Sequence, residues 1–142
     1  MCDGTYSSLN KYNSHSAFGK VDNKSVIIKD DDAAYIILGE NWHIPSKNEF
    51  IELYEKCLWE WTENNGTYGY TIKGPNGNSI FLPLTGNFVG LIHNLIDCGY
   101  YWSNINNEIS PNDAYALTFS KDNIGITSVS RKNGLPIRPV WR

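Results

Sequence analysis

The stretch that decides the fold is Gly99–Arg142, GYYWSNINNEISPNDAYALTFSKDNIGITSVSRKNGLPIRPVWR. It divides into strand-length runs, GYYWSN (99–104), DAYALTF (113–119), GITSVSR (125–131) and LPIRPVW (135–141), with turn residues between them. From Ala114 to Phe119 the bulky Tyr115, Leu117 and Phe119 alternate with Ala114, Ala116 and Thr118. A period of two marks a strand with one buried face. Between Trp102 and Ala114 lies SNINNEISPND, a polar loop rich in Asn and Ser. These patterns predict a C-terminal sheet that hides its bulky side chains. The polar loop and the outward amides and hydroxyls are then the working surface.

The bulk numbers narrow the class. A chain of 142 residues reads as one domain, able to bury about two-thirds of its unfolded surface. Five Trp and nine Tyr against a single Met predict a rigid, aromatic, strand-rich core. A formal charge of −3 argues against nucleic acid, which draws on clustered Lys and Arg. No apolar run approaches the roughly 18 residues of a spanning helix, so membrane insertion is not expected. The Met1-Cys2 start lacks the apolar run of a signal peptide, so the chain reads as a mature fragment or as one not exported by that route. Cys2, Cys57 and Cys98 have no metal-binding spacing. Cys57 and Cys98 are either buried thiols or a disulfide that leaves Cys2 over.

In chain order, residues 1–29 read as an irregular lead-in with one weak apolar run at Ser25–Ile28. A short helix is expected over Asp31–Leu38, with acidic residues in its first turn and Gly39 as its stop. The consecutive Asp30, Asp31 and Asp32 lack the spacing of a calcium loop. Ser46 and Glu49 form an S-x-x-E capping box. Phe50, Leu53, Tyr54, Cys57 and Leu58 then fall on one helical face, while Glu52, Glu55 and Lys56 take the solvated one. Trp59–Thr62, Tyr68–Lys73 and Ser79–Pro83 read as an antiparallel meander turned at Asn64-Asn65-Gly66 and Gly74-Pro75-Asn76-Gly77-Asn78. Leu84–Cys98 is a long connection whose apolar stretch 91–96 suggests a helical turn.

Six motifs occur in order: W-H-I-P-S-K-N-E-F, C-L-W-E-W, G-P-N-G-N-S-I-F-L-P, G-Y-Y-W-S, A-Y-x-L-x-F and G-L-x-I-R-P-V. Their succession, from about residue 30 to 140, resembles the Fibrobacter succinogenes major paralogous domain, a family abundant in gut and oral Bacteroidetes. The resemblance implies an α+β, C-type-lectin-like fold for 30–142, with two helices flanking a mostly antiparallel sheet and a long loop region displaying the binding surface. The same scaffold appears in the variable proteins of diversity-generating retroelements and in formylglycine-generating enzymes. Two departures stand out. No opening strand rich in Trp and Gly precedes residue 30, as in a truncated chain, so Leu135–Trp141 is expected to lack a neighbour. Such an edge favours self-association. His43 stands where the family generally has Arg.

No catalytic residues, metal ligands or cofactor are expected. Gly74-Pro75-Asn76 and Trp102-Ser103-Asn104 lack the carboxylates that calcium-dependent sugar binding requires. Cys57 and Cys98 match no formylglycine-generating motif, and His15, His43 and His93 suggest no nucleophile–base arrangement. Arg138 reads as a strand residue satisfying carbonyls or a carboxylate, and Trp42, Trp59, Trp61 and Trp102 read as core. The remaining ligand-binding candidates are Asn104, Asn106, Asn107, Asn112 and Asp113 in the loop. To these the final strands add Thr118, Thr127, Ser128, Ser130 and Lys132. Short amides and hydroxyls donate and accept, which suits polyol or peptide recognition. The expectation is a non-enzymatic binding module of a bacterial surface, secreted or phage-associated protein, located at the cell surface or outside the cell, with a glycan or protein ligand. The alternative is a structural or assembly domain that docks a partner chain through the same face.

Overall fold

The computed structural model describes residues 9–89, 92–94 and 97–142. After an irregular N-terminal segment come helix α1 (Ala33–Leu38), strand β1 (Trp42–His43) and helix α2 (Lys47–Lys56). Strands β2 (Leu58–Asn64), β3 (Thr67–Lys73) and β4 (Ser79–Pro83) follow, then the short β5 (Asn87–Val89) and β6 (Ile92–Asn94). The C-terminal part holds β7 (Gly99–Asn106), β8 (Asp113–Ser120), β9 (Asn123–Ser130), β10 (Asn133–Gly134) and β11 (Val140–Trp141). The fold is α+β. Its strands pair antiparallel in the orders β2-β3-β4, β7-β8-β9, β10-β5-β6 and β1-β11.

Local chemistry accounts for many boundaries. Asp32 caps α1 by accepting from Ala34 N and Tyr35 N, and Gly39 ends it at φ 99°, a conformation that suits glycine. In α2 both halves of the capping box form: Glu49 N donates to Ser46 Oγ, and Ser46 N donates to Glu49 Oε2 at 2.8 Å. Asn65 and Gly66, at φ 50° and 78°, make the two-residue turn between β2 and β3, which suits the twist of a hairpin. The helical face predicted for α2 is narrower than its apolar pattern. Phe50 is buried, but Tyr54 is exposed, and Leu58 begins β2 and lies in solvent. Helical spacing stops applying once the chain turns extended at Cys57.

One core lies between the β2-β3-β4 sheet, the β7-β8-β9 sheet and α2. Phe50, Tyr70, Ile72, Leu82, Tyr101, Leu117 and Phe119 form it, with Trp59 and Trp61 packed alongside. Tyr70 and Phe119 meet edge to face at 5.5 Å, and Tyr101 stacks on Phe119 at 6.1 Å. Such ring pairs add about 0.5–1.5 kcal/mol beyond their buried area. Two phenols tie the sheets together: Tyr70 Oη donates to Lys121 O and Tyr101 Oη to Pro83 O. Gly99 lies opposite Phe119, where a Cβ would run into the ring.

The predicted alternation in β8 is present, and Leu117 and Phe119 are buried. Tyr115 shares their face but is only half-buried, under the Lys47 ammonium 3.8 Å from its ring centroid. Ala114 and Ala116, on the opposite face, are buried as well. The strand is therefore covered on both sides. The N-terminal segment contributes to the second cover: Leu9, Tyr12 and Asn13 are at most 4% exposed. This segment is irregular, as expected, yet packed.

Several expectations need correction. The Asn-rich loop is shorter than its composition, because β7 extends to Asn106. The terminal strand has a neighbour: β11 pairs with β1, Trp42 opposite Trp141 and His43 opposite Val140. The chain before α2, not a lost N-terminal strand, supplies this partner. Arg138 is exposed, and Arg131 caps carbonyls instead. In the 84–98 connection, β5 and β6 form a hairpin where a helical turn was expected; residues 90, 91, 95 and 96 lie outside the described residues, as does Cys2. Cys57 and Cys98 are free thiols, half-buried.

Two outcomes follow for stability. Leu117→Ala is expected to lower unfolding free energy by about 2–5 kcal/mol in urea titration, whereas Leu58→Ala, at an exposed site, leaves it within about 0.5 kcal/mol. Burial pushes the Glu49 carboxyl up, but hydrogen bonds from Ser46 N and Oγ and from His43 outweigh it and hold the group below its usual range. A carboxylate depressed in the folded state stabilises above its unfolded pKa, and that contribution is lost as pH falls through the folded value. Glu49→Gln should therefore flatten the acid limb of thermal stability below the ordinary Glu range and lower stability at neutral pH.

Candidate functional site

The N-terminal segment crosses the second face of the β7-β8-β9 sheet and is anchored there by Tyr12. Tyr12 takes φ 56°, a left-handed conformation that costs a bulky residue about 1–3 kcal/mol and persists only when its surroundings enforce it. They do so at every polar atom. Tyr12 N donates to Asp22 Oδ2 at 2.8 Å, and Tyr12 O accepts from Asn106 Nδ2 at 2.7 Å and Arg131 Nη1 at 2.9 Å. Tyr12 Oη donates to Asp31 Oδ2 at 2.6 Å and accepts from Ile28 N. Arg131 also reaches Pro111 O and Lys11 O, joining the loop after β7 to the N-terminal segment.

Electrostatics match this geometry. Burial, then the hydrogen bond to Asp31, pushes the Tyr12 phenol up to about 12. Hydrogen bonds from Lys11 and Tyr12 hold the Asp31 carboxyl below its usual range. Burial raises Asp22, but the N–H groups of Asn13, Tyr12 and Lys24 outweigh it and leave that carboxyl low.

Two chambers share Tyr12 and Asn106 as a common wall. The larger, about 320 Å³, is walled mainly by apolar groups including Ile27, Ile44, Trp102, Ala114 and Ile137. The smaller, about 200 Å³, is ringed mostly by polar residues and lies between Ser14, Asn23, Lys24 and Ser25 on one side and Asn107 and Glu108 on the other. Asn106 is 8% exposed. Its Nδ2 is committed to Tyr12 O, but its Oδ1 accepts from no described residue. Trp102 Nε1 likewise donates to none of them. An apolar floor with a few unspent polar atoms is the usual chemistry of a small-ligand site.

The residues expected to form one surface are divided by the structure. Thr127 and Ser128 are neighbours in a strand, so they point to opposite faces. Thr118 and Thr127 share the second face, where Thr127 Oγ1 donates to Thr118 Oγ1. Ser128 and Ser130 lie on the face that carries Leu117, opposite Tyr115 and Asp113 respectively. Much of the loop set satisfies itself. Asn107 Nδ2 donates to Ser128 Oγ, Asn107 Oδ1 accepts from Ile109 N and Ser110 N, and Ser110 Oγ donates to Asp113 Oδ2. Asn112 O accepts from Arg131 N, Lys132 N donates to Ser130 Oγ, and the Asn104 backbone bonds Pro45 and Ile27. Of the ten candidates, Asn106 and Asn107 line the chambers. Tyr12, Trp102, Asn23, Lys24 and Glu108 were not expected there. A bulky residue in the left-handed region leaves no signature in composition or periodicity, and Trp102 gave only a signal for core.

The histidines have local roles. His15 Nδ1 accepts from Ala17 N, and His43 Nε2 lies 2.9 Å from Glu49 Oε1. His43 thus meets the capping-box carboxylate. Among the described residues no group of three His, Cys, Asp or Glu is placed to hold a metal ion, and no helix is long and apolar enough to cross a membrane. No family model, curated protein or solved structure matches this chain.

Arg131→Met, which keeps most of the stem but removes the guanidinium, should release the N-terminal segment. Backbone amides from Tyr12 to Lys24 are expected to exchange faster, while those of β3 stay unchanged. In alkaline titration Tyr12→Phe should remove one phenol titrating near 12. The stability contributed by this raised pKa is complete below about 10 and declines as pH climbs towards that value.

Proposed function

We propose that the chain is a non-enzymatic, C-type-lectin-like binding module of a bacterial surface, secreted or phage-associated protein. It recognises a glycan or protein ligand in the cleft around Tyr12 and Asn106. The observation that carries this reading is the shared wall: a pinned Tyr12 and a buried Asn106 separate an apolar chamber from one ringed mostly by polar residues. A sugar ring or a short polar side chain has the matching composition, with C–H faces for Trp102 and hydroxyls or amides for Asn106 Oδ1 and the outer rim. Because the wall is locked before any ligand arrives, little ordering is left to offset binding.

The proposed membership of the Fibrobacter succinogenes major paralogous domain family is supported by what its motifs do here. W-H-I-P-S-K-N-E-F forms β1 and the capping box of α2, and G-P-N-G-N turns β3 into β4. G-Y-Y-W-S opens β7, A-Y-x-L-x-F carries the core face of β8, and the last motif leads into β11. Two helices beside antiparallel strands are consistent with the α+β class of that scaffold.

Lys24→Ala and Asn23→Gly, both at exposed rim positions, test the cleft without touching the core; glycine accepts the φ of 55° at position 23 without strain. Against a ligand found on glycan and surface-protein arrays, each is expected to weaken binding about fivefold to tenfold, the worth of one hydrogen bond of about 1–1.5 kcal/mol. Asn76→Ala, in the β3–β4 turn, leaves it unchanged. Full affinity in both rim variants, or no array ligand at all, would sink the reading.

A further inference from the structure

β9 is the outer strand of the β7-β8-β9 sheet. The two-residue turn Lys121-Asp122 sets Ser120 opposite Asn123, and in such a hairpin this pair is hydrogen-bonded. Bonding then alternates, so Gly125, Thr127 and Val129 bond β8 while Ile124, Ile126, Ser128 and Ser130 direct their N–H and C=O groups outward. The same alternation carried across β8 turns Tyr100 N and Trp102 N away from the sheet, where they meet Thr85 Oγ1 and Pro136 O. The two edges differ sharply. The outward N–H groups of β7 at Tyr100, Trp102, Asn104 and Asn106 are all taken by other segments. Those of β9 meet no backbone or side-chain partner among the described residues.

Soluble proteins usually blunt such an edge with charge, proline or a bulge. Asn123–Ser130 contains no charged residue and no proline, and it pairs with β8 in unbroken register. We infer that the β9 edge joins the β9 edge of a second copy of this chain, extending two sheets into one across a two-fold axis at Thr127. This surface is separate from the cleft, and the inference does not rest on the function proposed for that cleft.

Register and charge favour a second copy. A two-fold at Thr127 sets Ile124 opposite Ser130 and Ile126 opposite Ser128, so all the outward groups are used, in about eight hydrogen bonds. The same axis directs Asp122 of each copy towards Lys132 of the other. Asp122 at one end of the strand and Lys132 at the other thus meet only when the strands run antiparallel. At the axis Thr127 meets Thr127, a small, polar and exposed pair with no charge to repel.

Light scattering after size exclusion of the whole chain, over a range of concentrations, should show a monomer–dimer equilibrium. Ser128→Pro removes an N–H that points away from β8, so it should abolish the dimer while circular dichroism is retained. Thr127→Lys and Thr127→Asp each place like charges on the axis and should raise the dissociation constant about fivefold. Mixing the two variants should restore association. In the wild type, exchange at the Ile124, Ile126, Ser128 and Ser130 amides should slow as concentration rises. A wild type monomeric throughout, a dimer indifferent to both charges, or a mixture no tighter than either variant alone would overturn the inference. So would a monomer whose edge is protected only by an added unrelated peptide.

Discussion

The structure depends on the outer edge of β7. Four alternate N–H groups along it find acceptors in four distant parts of the chain. Tyr100 N reaches Thr85 Oγ1, Trp102 N reaches Pro136 O, Asn104 N reaches Pro45 O and Asn106 N reaches Ser25 O. A buried strand edge left unpaired would cost about 1–3 kcal/mol for each stranded group. Satisfying it with four separate segments brings the N-terminal segment, the entry to α2, the exit from β4 and the C-terminal strap to one line. Two of the acceptors are proline carbonyls. Proline has no N–H of its own, so it can accept from an edge without offering a donor that would extend the ladder.

That line explains why β8 is buried on both faces. One face meets the aromatic core, and its side chains are large. The other lies under chain held close by the β7 edge, and there Ala114 and Ala116 stand where larger groups would push the cover away. Asn13, among the most buried polar side chains, fits because it is bonded throughout: Nδ2 donates to Lys20 O and Oδ1 accepts from His15 N. The cover is therefore built from hydrogen bonds, whereas the core is built from rings. A cover of this kind leaves cavities along its seam, because irregular backbone does not fill space as interdigitated side chains do.

The two faces thus divide the work. The core face sets stability through Tyr70, Phe119 and their neighbours, and α2 is held to it by Phe50. The covered face holds the chambers around Tyr12 and Asn106, with a strained residue fixed by three carboxylate and amide partners and Arg131. The backbone strain at Tyr12 is offset by bonds from elements far apart in sequence.

The sequence by itself determined the local elements. The capping box of α2, the Asn65-Gly66 turn, the meander and the alternation of Leu117 with Phe119 were legible because each depends on neighbours within a few residues. It also told large from small along β8, though not that both faces are covered. Tertiary structure alone decided which strands have partners and which polar side chains remain available. β11 found β1, Asn107 was consumed by Ser128, and Tyr12 was pressed into a left-handed conformation between Asn106 and Arg131. None of this has a periodicity. A contact across about a hundred residues is set by where the chain returns, and composition in a short window holds no record of that return.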